Sequence, residues 1–104
     1  MLCPQRQPQA ITHHQNHQRE GDAGLEMRTL VNAADIDLYD LRWQEMLDKA
    51  LRAVELVPQV DDSRSGMLAH FAAALPLICM GEPERADQHA VASVAAAERM
   101  RHHS

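Results

Sequence analysis

The most apolar stretch of the chain runs from Met67 to Met80, MLAHFAAALPLICM, where only His70 and Pro76 interrupt a run of apolar side chains. Drawn as a helix, it is apolar on every side, so it must either be buried on every side or cross a membrane. A membrane-spanning helix needs about twenty apolar residues. The stretch has only fourteen residues, so it predicts a core helix. The rest of the chain is too short to cover this helix completely.

An amphipathic pattern precedes this stretch. Apolar residues recur there at alternating steps of three and four positions, which is typical of one face of a helix: Ile36, Tyr39, Trp43, Met46, Ala50, Val54 and Val57. Asn32 and Asp35 resemble a capping box at the start, and Pro58 favours an end just before it. We predict a first helix over residues 33–57.

Two further helices follow from capping residues. Asp61, Asp62 and Ser63 are favourable N-caps for the apolar stretch, which predicts a second helix over residues 63–80. Gly81 is suited to the left-handed position after that helix, and Pro83 to the first turn of the next one. The third helix, residues 83–101, is rich in alanine and valine. The predicted fold class is all-α, a small bundle of three helices.

Residues 1–26 form a polar segment with two prolines, two glycines and several glutamines. Such a segment buries too little apolar surface to offset the entropy of ordering, so we predict a disordered tail followed by a helical domain over residues 27–104. The change in composition at Met27 raises the hypothesis that translation starts there. A helical part of roughly 70 residues has a marginal core, so we expect homodimerisation to complete the bundle.

The formal charge of −5, with Lys49 as the only lysine, argues against direct binding to nucleic acid, since no basic cluster could neutralise phosphates. Cys3 and Cys79 lie in unrelated segments and do not indicate a disulfide framework, which favours a reducing compartment. The N-terminus lacks the basic and apolar regions of a signal peptide. We expect a cytoplasmic protein that is not bound to a membrane.

Candidate chemistry is sparse. His13, His14 and His17 could share a metal ion if they lay on a helix, but no carboxylate or thiolate is fixed nearby, which favours a polar tail that happens to contain histidines. His70 is most simply a hydrogen-bonded core residue, because no nucleophile or second ligand lies at helical spacing from it. We therefore predict a protein that is not an enzyme and that has no cofactor or metal.

Incomplete burial of the apolar helix instead predicts a protein-binding surface. The candidate interface residues combine large apolar side chains with adaptable methionines: Tyr39, Trp43, Met46, Met67, Phe71, Ala74, Leu75 and Ile78. The alternative is that the same residues are only the internal core of the bundle.

Part of the chain resembles a tetratricopeptide helical hairpin. The resemblance is carried by small residues at helical spacing around a glycine: Ala73, Ala74, Leu77, Gly81, Ala86 and Ser93. Ala50, Ala53 and Pro58 resemble the end of a preceding hairpin. This implies close helix packing and a helical adaptor as one possible function.

The whole chain resembles the QslA-type quorum-sensing antiactivators of Pseudomonas, on the segments LYDLRWQEMLDKALRAVELVP (38–58) and MLAHFAAALPLICMGEPERAD (67–87). The resemblance implies a homodimer that binds the ligand-binding domain of the LuxR-type activator LasR and blocks its dimerisation and DNA binding. The alternative is a chaperone-like or tetratricopeptide-like adaptor that shields an apolar segment of a partner protein.

Overall fold

The computed structural model describes residues 13–102, with side chains described from residue 21 onward. This part of the chain contains four α-helices and no strand: α1 (His13–Tyr39), α2 (Trp43–Glu55), α3 (Ser63–Cys79) and α4 (Pro83–His102). A short 3₁₀ helix, Val57–Gln59, links α2 to α3. The all-α prediction is confirmed, as are the bounds of the last two helices to within a residue. The predicted number of three helices is wrong.

The first error is a missed turn. The helix expected over residues 33–57 is the end of α1 and the whole of α2, separated by a tight turn at Asp40, Leu41 and Arg42. Leu41 adopts a left-handed conformation with a φ of 58°. The apolar spacing continues across the turn although its members on α1, Ile36 and Tyr39, are exposed. Neither glycine nor proline marks the break. Asn32, the expected N-cap, lies inside α1.

The second error concerns residues 13–26, which were expected to belong to a disordered tail but form the first half of α1. Ala23, Met27 and Val31 lie four residues apart on one side of α1 and are buried against Ala53 and Leu56. This apolar face stabilises the helix despite its polar composition. An exposed ion pair also joins the two helices: Nε of Arg52 on α2 lies 3.1 Å from a carboxylate oxygen of Glu26 on α1.

The described residues do not include residues 1–12, so that part of the tail prediction is untested. The predicted histidine cluster also lies outside the residues whose side chains are described. The backbone of His13, His14 and His17 belongs to the first turns of α1.

The apolar helix α3 occupies the centre of the fold. It contacts α1, α2 and α4, whereas α4 packs against α3 and against no other described helix. The residues of α3 that face its neighbours are mostly small, which lets the helix axes approach closely: Gly66, Ala69, Ala72, Ala73, Ala74, Pro76 and Leu77. Asp62 caps this helix as predicted, because its Oδ1 accepts a hydrogen bond from the Arg64 N–H at 3.1 Å.

The α1–α2 and α3–α4 hairpins close with the same turn, and each residue of the second turn follows its counterpart by forty positions. The N–H groups of Leu41 and Gly81 donate to Leu38 and Ile78 at 3.1 Å in both turns. The N–H groups of Arg42 and Glu82 donate to the carbonyls of Asp37 and Leu77, at 2.9 Å each. This is the Schellman pattern of helix C-termini. The described part of the chain thus contains two helical hairpins that close with equivalent turns.

A buried ion pair joins α1 to α2. Asp37 is the one buried charged residue of the described chain, and the Lys49 ammonium group donates a hydrogen bond to its carboxylate. The Arg42 guanidinium lies 3.7 Å from the other carboxylate oxygen. At the equivalent positions of the second hairpin, Leu77 and His89 replace this ion pair.

The two turns predict that removing a glycine at one and introducing a glycine at the other have opposite effects on stability. Gly81 has a φ of 80° and Leu41 a φ of 58°, and the left-handed region is unfavourable for residues with a Cβ. We expect Gly81→Ala to lower the free energy of unfolding by about 1 kcal/mol. We expect Leu41→Gly to raise it by about 0.5 kcal/mol, since relief of strain exceeds the entropy gained by the unfolded chain. Urea unfolding measures both, and effects of the same sign would contradict the equivalence of the turns.

The ion pair predicts a non-additive pair of substitutions. Lys49→Met leaves the Asp37 carboxylate buried with only the more distant Arg42, and should lower the free energy of unfolding by about 2 kcal/mol. The double variant Asp37→Leu/Lys49→Met copies the apolar residue of the second hairpin and should be more stable than Lys49→Met alone. Thermal and urea unfolding of both variants test this, and a less stable double variant would refute it.

Candidate interaction surface

The eight residues predicted to form an interface do not lie on one surface. Met46 and Ala74 are buried, with exposed fractions of 1% and 7%, so for these two the alternative of an internal core residue applies. Three are half-buried: Trp43, Met67 and Leu75. Of these, Trp43 and Leu75 pack against the main core. Three are exposed: Tyr39 at 86%, Phe71 at 58% and Ile78 at 62%.

One side of α3 remains open. Leu68, Phe71, Leu75 and Ile78 follow one another at steps of three and four residues and therefore share one face of the helix. Leu68, Phe71 and Ile78 are exposed and Leu75 is half-buried. We call these four residues the outer face of α3. It is an apolar row on a helix whose remaining sides are packed, and such exposed rows mark sites of association.

A second open face lies on α4. Asp87, Ala90, Val91 and Val94 line a shallow depression of about 310 Å³, and we call them the open face of α4. In the equivalent hairpin, the residues forty positions earlier belong to the core or pack against it together with α3: Leu47, Ala50, Leu51 and Val54. The open face of α4 thus corresponds to the face with which α2 packs against the next helix. Its shape suits another helix.

A third exposed apolar group surrounds the first turn. Ile36 and Tyr39 lie one turn apart at the end of α1, and Leu41 follows in the turn itself. All three are largely exposed. Of the predicted interface residues only Tyr39 belongs to this group, so the structure separates it from Phe71 and Ile78, which share the outer face of α3.

His70 pairs with a residue that sequence reasoning did not single out. Its Nδ1 lies 3.0 Å from Nδ1 of His89 on α4, and the ring centroids are 5.2 Å apart. One ring must donate and the other accept, which requires that at least one histidine be neutral. Nearby, the Ser93 hydroxyl donates to the Met67 carbonyl at 2.9 Å. Both contacts hold α4 on α3.

Both histidines have a lowered pKa. Partial burial is the main cause for each, because desolvation disfavours the imidazolium form. The pKa of His70 is lowered further by His89 and by Arg99, and that of His89 by Arg85. The neutral pair is therefore favoured at neutral pH, which fits the expectation that His70 is a hydrogen-bonded residue of the packed structure.

Within the described residues, no group of three or more His, Cys, Asp or Glu side chains could hold a metal ion. Cys79 is an exposed free thiol at the end of α3. None of the described helices is both long and apolar enough to cross a membrane.

The sequence matched no protein-family model and no curated protein, and the fold matched no solved structure. The QslA-type and tetratricopeptide resemblances therefore stay predictions. The surfaces described above are the basis on which a function can be argued.

Sequence reasoning missed the open face of α4 and the role of His89. Val91 and Val94 are spaced for one helix face, but periodicity cannot show which helix faces find a neighbour. No signal links His89 to His70, because the two are nineteen residues apart and meet only when α4 packs on α3.

The histidine pair predicts a pH-dependent stability. The folded protein binds fewer protons than the unfolded chain at these two sites, so the free energy of unfolding should fall as the pH drops from 7 through the ordinary histidine value of 6.5. His89→Gln should weaken this dependence between pH 7 and 5.5. Urea unfolding as a function of pH measures the effect, and an unaltered slope in His89→Gln would contradict it.

Proposed function

We propose that the protein is a non-enzymatic regulator that binds another folded protein through the outer face of α3. Within that class we propose an antiactivator that binds the ligand-binding domain of a LuxR-type transcription factor such as LasR and blocks its dimerisation and DNA binding. The observation that carries the proposal is the exposure of Phe71 and Ile78 on a helix that packs against α1, α2 and α4 on its other sides.

The chemistry of this face supports protein binding. Phe71 is a large aromatic side chain of the kind that dominates interface energetics, and Ile78 and Leu68 extend the apolar surface on either side along the same helix face. Blocking a dimer requires only a surface that competes with the partner's own contact. Affinity then depends on how well the buried anchors offset the cost of association.

We assign self-association to the open face of α4. Helix α4 has a small excess of acidic residues near its start and of basic residues near its end: Glu84 and Asp87 with Arg85, and Arg99 and Arg101 with Glu98. Antiparallel pairing of two α4 helices would bring the more acidic half of each opposite the more basic half of the other. Ala90 permits the close approach that such a contact needs. This arrangement would leave the outer face of α3 available to the partner.

The alternative function is a chaperone-like or tetratricopeptide-like adaptor that shields an apolar segment of a partner. The equivalence of the two hairpins favours it, because stacked helical hairpins are the unit of such adaptors. An adaptor of this kind would bind an isolated peptide, whereas the proposed antiactivator requires a folded domain.

Three substitutions at sites of nearly equal exposure separate these roles. Phe71 (58%), Val91 (60%) and Ile36 (61%) lie on the outer face of α3, the open face of α4 and beside the first turn. We expect the wild type to be a dimer that forms a discrete complex with the LasR ligand-binding domain. Phe71→Asp should lose the complex and keep the dimer, Val91→Asp should lose the dimer, and Ile36→Asp should change neither. Size-exclusion chromatography with light scattering measures all four proteins.

Circular dichroism melting of each variant shows whether it is folded. A wild-type protein that forms no complex with the domain refutes the LasR assignment. A Phe71→Asp variant that stays folded and still binds refutes the role of the outer face of α3. Binding of an isolated apolar peptide with equal affinity would favour the adaptor.

A further inference from the structure

A cleft of about 220 Å³ lies between α1 and the beginning of α3. Its apolar wall consists of Met27, Val31 and Leu68, and its polar rim of Arg28, Asn32, Arg64 and Ser65. The cleft is therefore amphipathic, with an apolar side and two guanidinium groups.

The two arginines differ from the other basic side chains. Within the described residues, five basic side chains form ion pairs with carboxylates elsewhere: Arg42, Lys49, Arg52, Arg85 and Arg101. Arg99 also has a partner. Arg28 and Arg64 have no ion pair among the described residues, and both line this one cleft. In a chain with a formal charge of −5, two cations without a carboxylate partner at one opening are unexpected.

The acidic residues next to these arginines in the sequence are engaged elsewhere. Glu26 forms its ion pair with Arg52 of α2. Asp62 accepts hydrogen bonds from the Ser65 hydroxyl at 2.7 Å and from the Arg64 N–H, and the Ser65 bond is the main reason why the pKa of Asp62 is lowered. Neither carboxylate forms an ion pair with Arg28 or Arg64, although Asp62 and Arg64 attract each other at longer range. Both guanidinium groups can therefore still bind an external anion.

We propose that this cleft binds a small amphipathic anion, with a carboxylate or phosphate head on Arg28 and Arg64 and a short apolar tail against Met27, Val31 and Leu68. Guanidinium groups bind both kinds of head through charge-assisted hydrogen bonds. Pockets for drug-sized ligands are about 300–1,000 Å³, so a smaller cleft takes a short tail. The inference goes beyond the proposed function and does not rest on it.

The test uses octanoate and octyl phosphate, each far below its micelle concentration, added to the ¹⁵N-labelled full chain. We expect saturable shifts of the amide signals of residues 27–32 and 64–68, and a stoichiometry of one ligand per chain by calorimetry. Arg28→Gln and Arg64→Gln should each weaken binding about tenfold, and Arg64→Lys should weaken it less. Arg85→Gln removes one positive charge in the first turn of α4, outside the cleft, and should not change the affinity for either ligand. The tighter of the two ligands identifies the head group.

Octanol distinguishes this site from unspecific apolar binding. If octanol binds as tightly as octanoate, or if the shifts centre on Phe71, Val91 and Val94, the proposal is overturned. It is also overturned if Arg85→Gln weakens binding as much as Arg64→Gln does. Both cleft arginines are exposed, so we expect unchanged melting temperatures. Should one variant melt earlier, the comparison of Arg64→Lys with Arg85→Gln still decides.

Discussion

The burial of α3 is the constraint on which the arrangement of the domain depends. Because this helix is apolar on every side, each of the other three helices gains most by covering part of it. Alanines such as Ala69, Ala72 and Ala73 make this possible, since their small side chains let three helices approach one helix closely. Three neighbours still leave one side open, and that side is the outer face of α3.

Two hairpins with the same turn are stabilised by different chemistry. Asp37 and Lys49 join α1 to α2 through a buried ion pair, whereas Leu77 and His89 stand at the equivalent positions of α3 and α4. Leu77 is fully buried, and His89 pairs with His70. The equivalence also explains the open face of α4, because it has the position of a packing face but no following hairpin among the described residues. A stack of two hairpins thus ends in a surface already suited to a helix.

The three candidate binding surfaces differ in charge, and each therefore suits a different kind of partner. The outer face of α3 is an uncharged apolar row around Phe71, which suits an apolar surface of a folded partner. The small excess of acidic charge at the start of α4 and of basic charge at its end suits an antiparallel copy of the same helix. At the α1–α3 cleft, Arg28 and Arg64 stand beside apolar side chains, which suits a small amphipathic anion. The three surfaces use different residues apart from Leu68, which belongs to both the outer face of α3 and the cleft.

The sequence alone determined the helical class, the apolar core helix, its Asp62 cap and the left-handed Gly81, because each depends on local spacing or on the conformational preference of a single residue. It also indicated that Phe71 and Ile78 are candidates for an exposed face. Only the tertiary structure decided that Leu41 breaks the first helix and that Ala23 and Met27 make residues 13–26 helical, because both outcomes depend on packing against α2 and the residues that follow it. The partner of His70, the burial of Met46 and Ala74, and the meeting of two arginines at one cleft likewise depend on contacts between distant residues, which periodicity along the chain cannot specify.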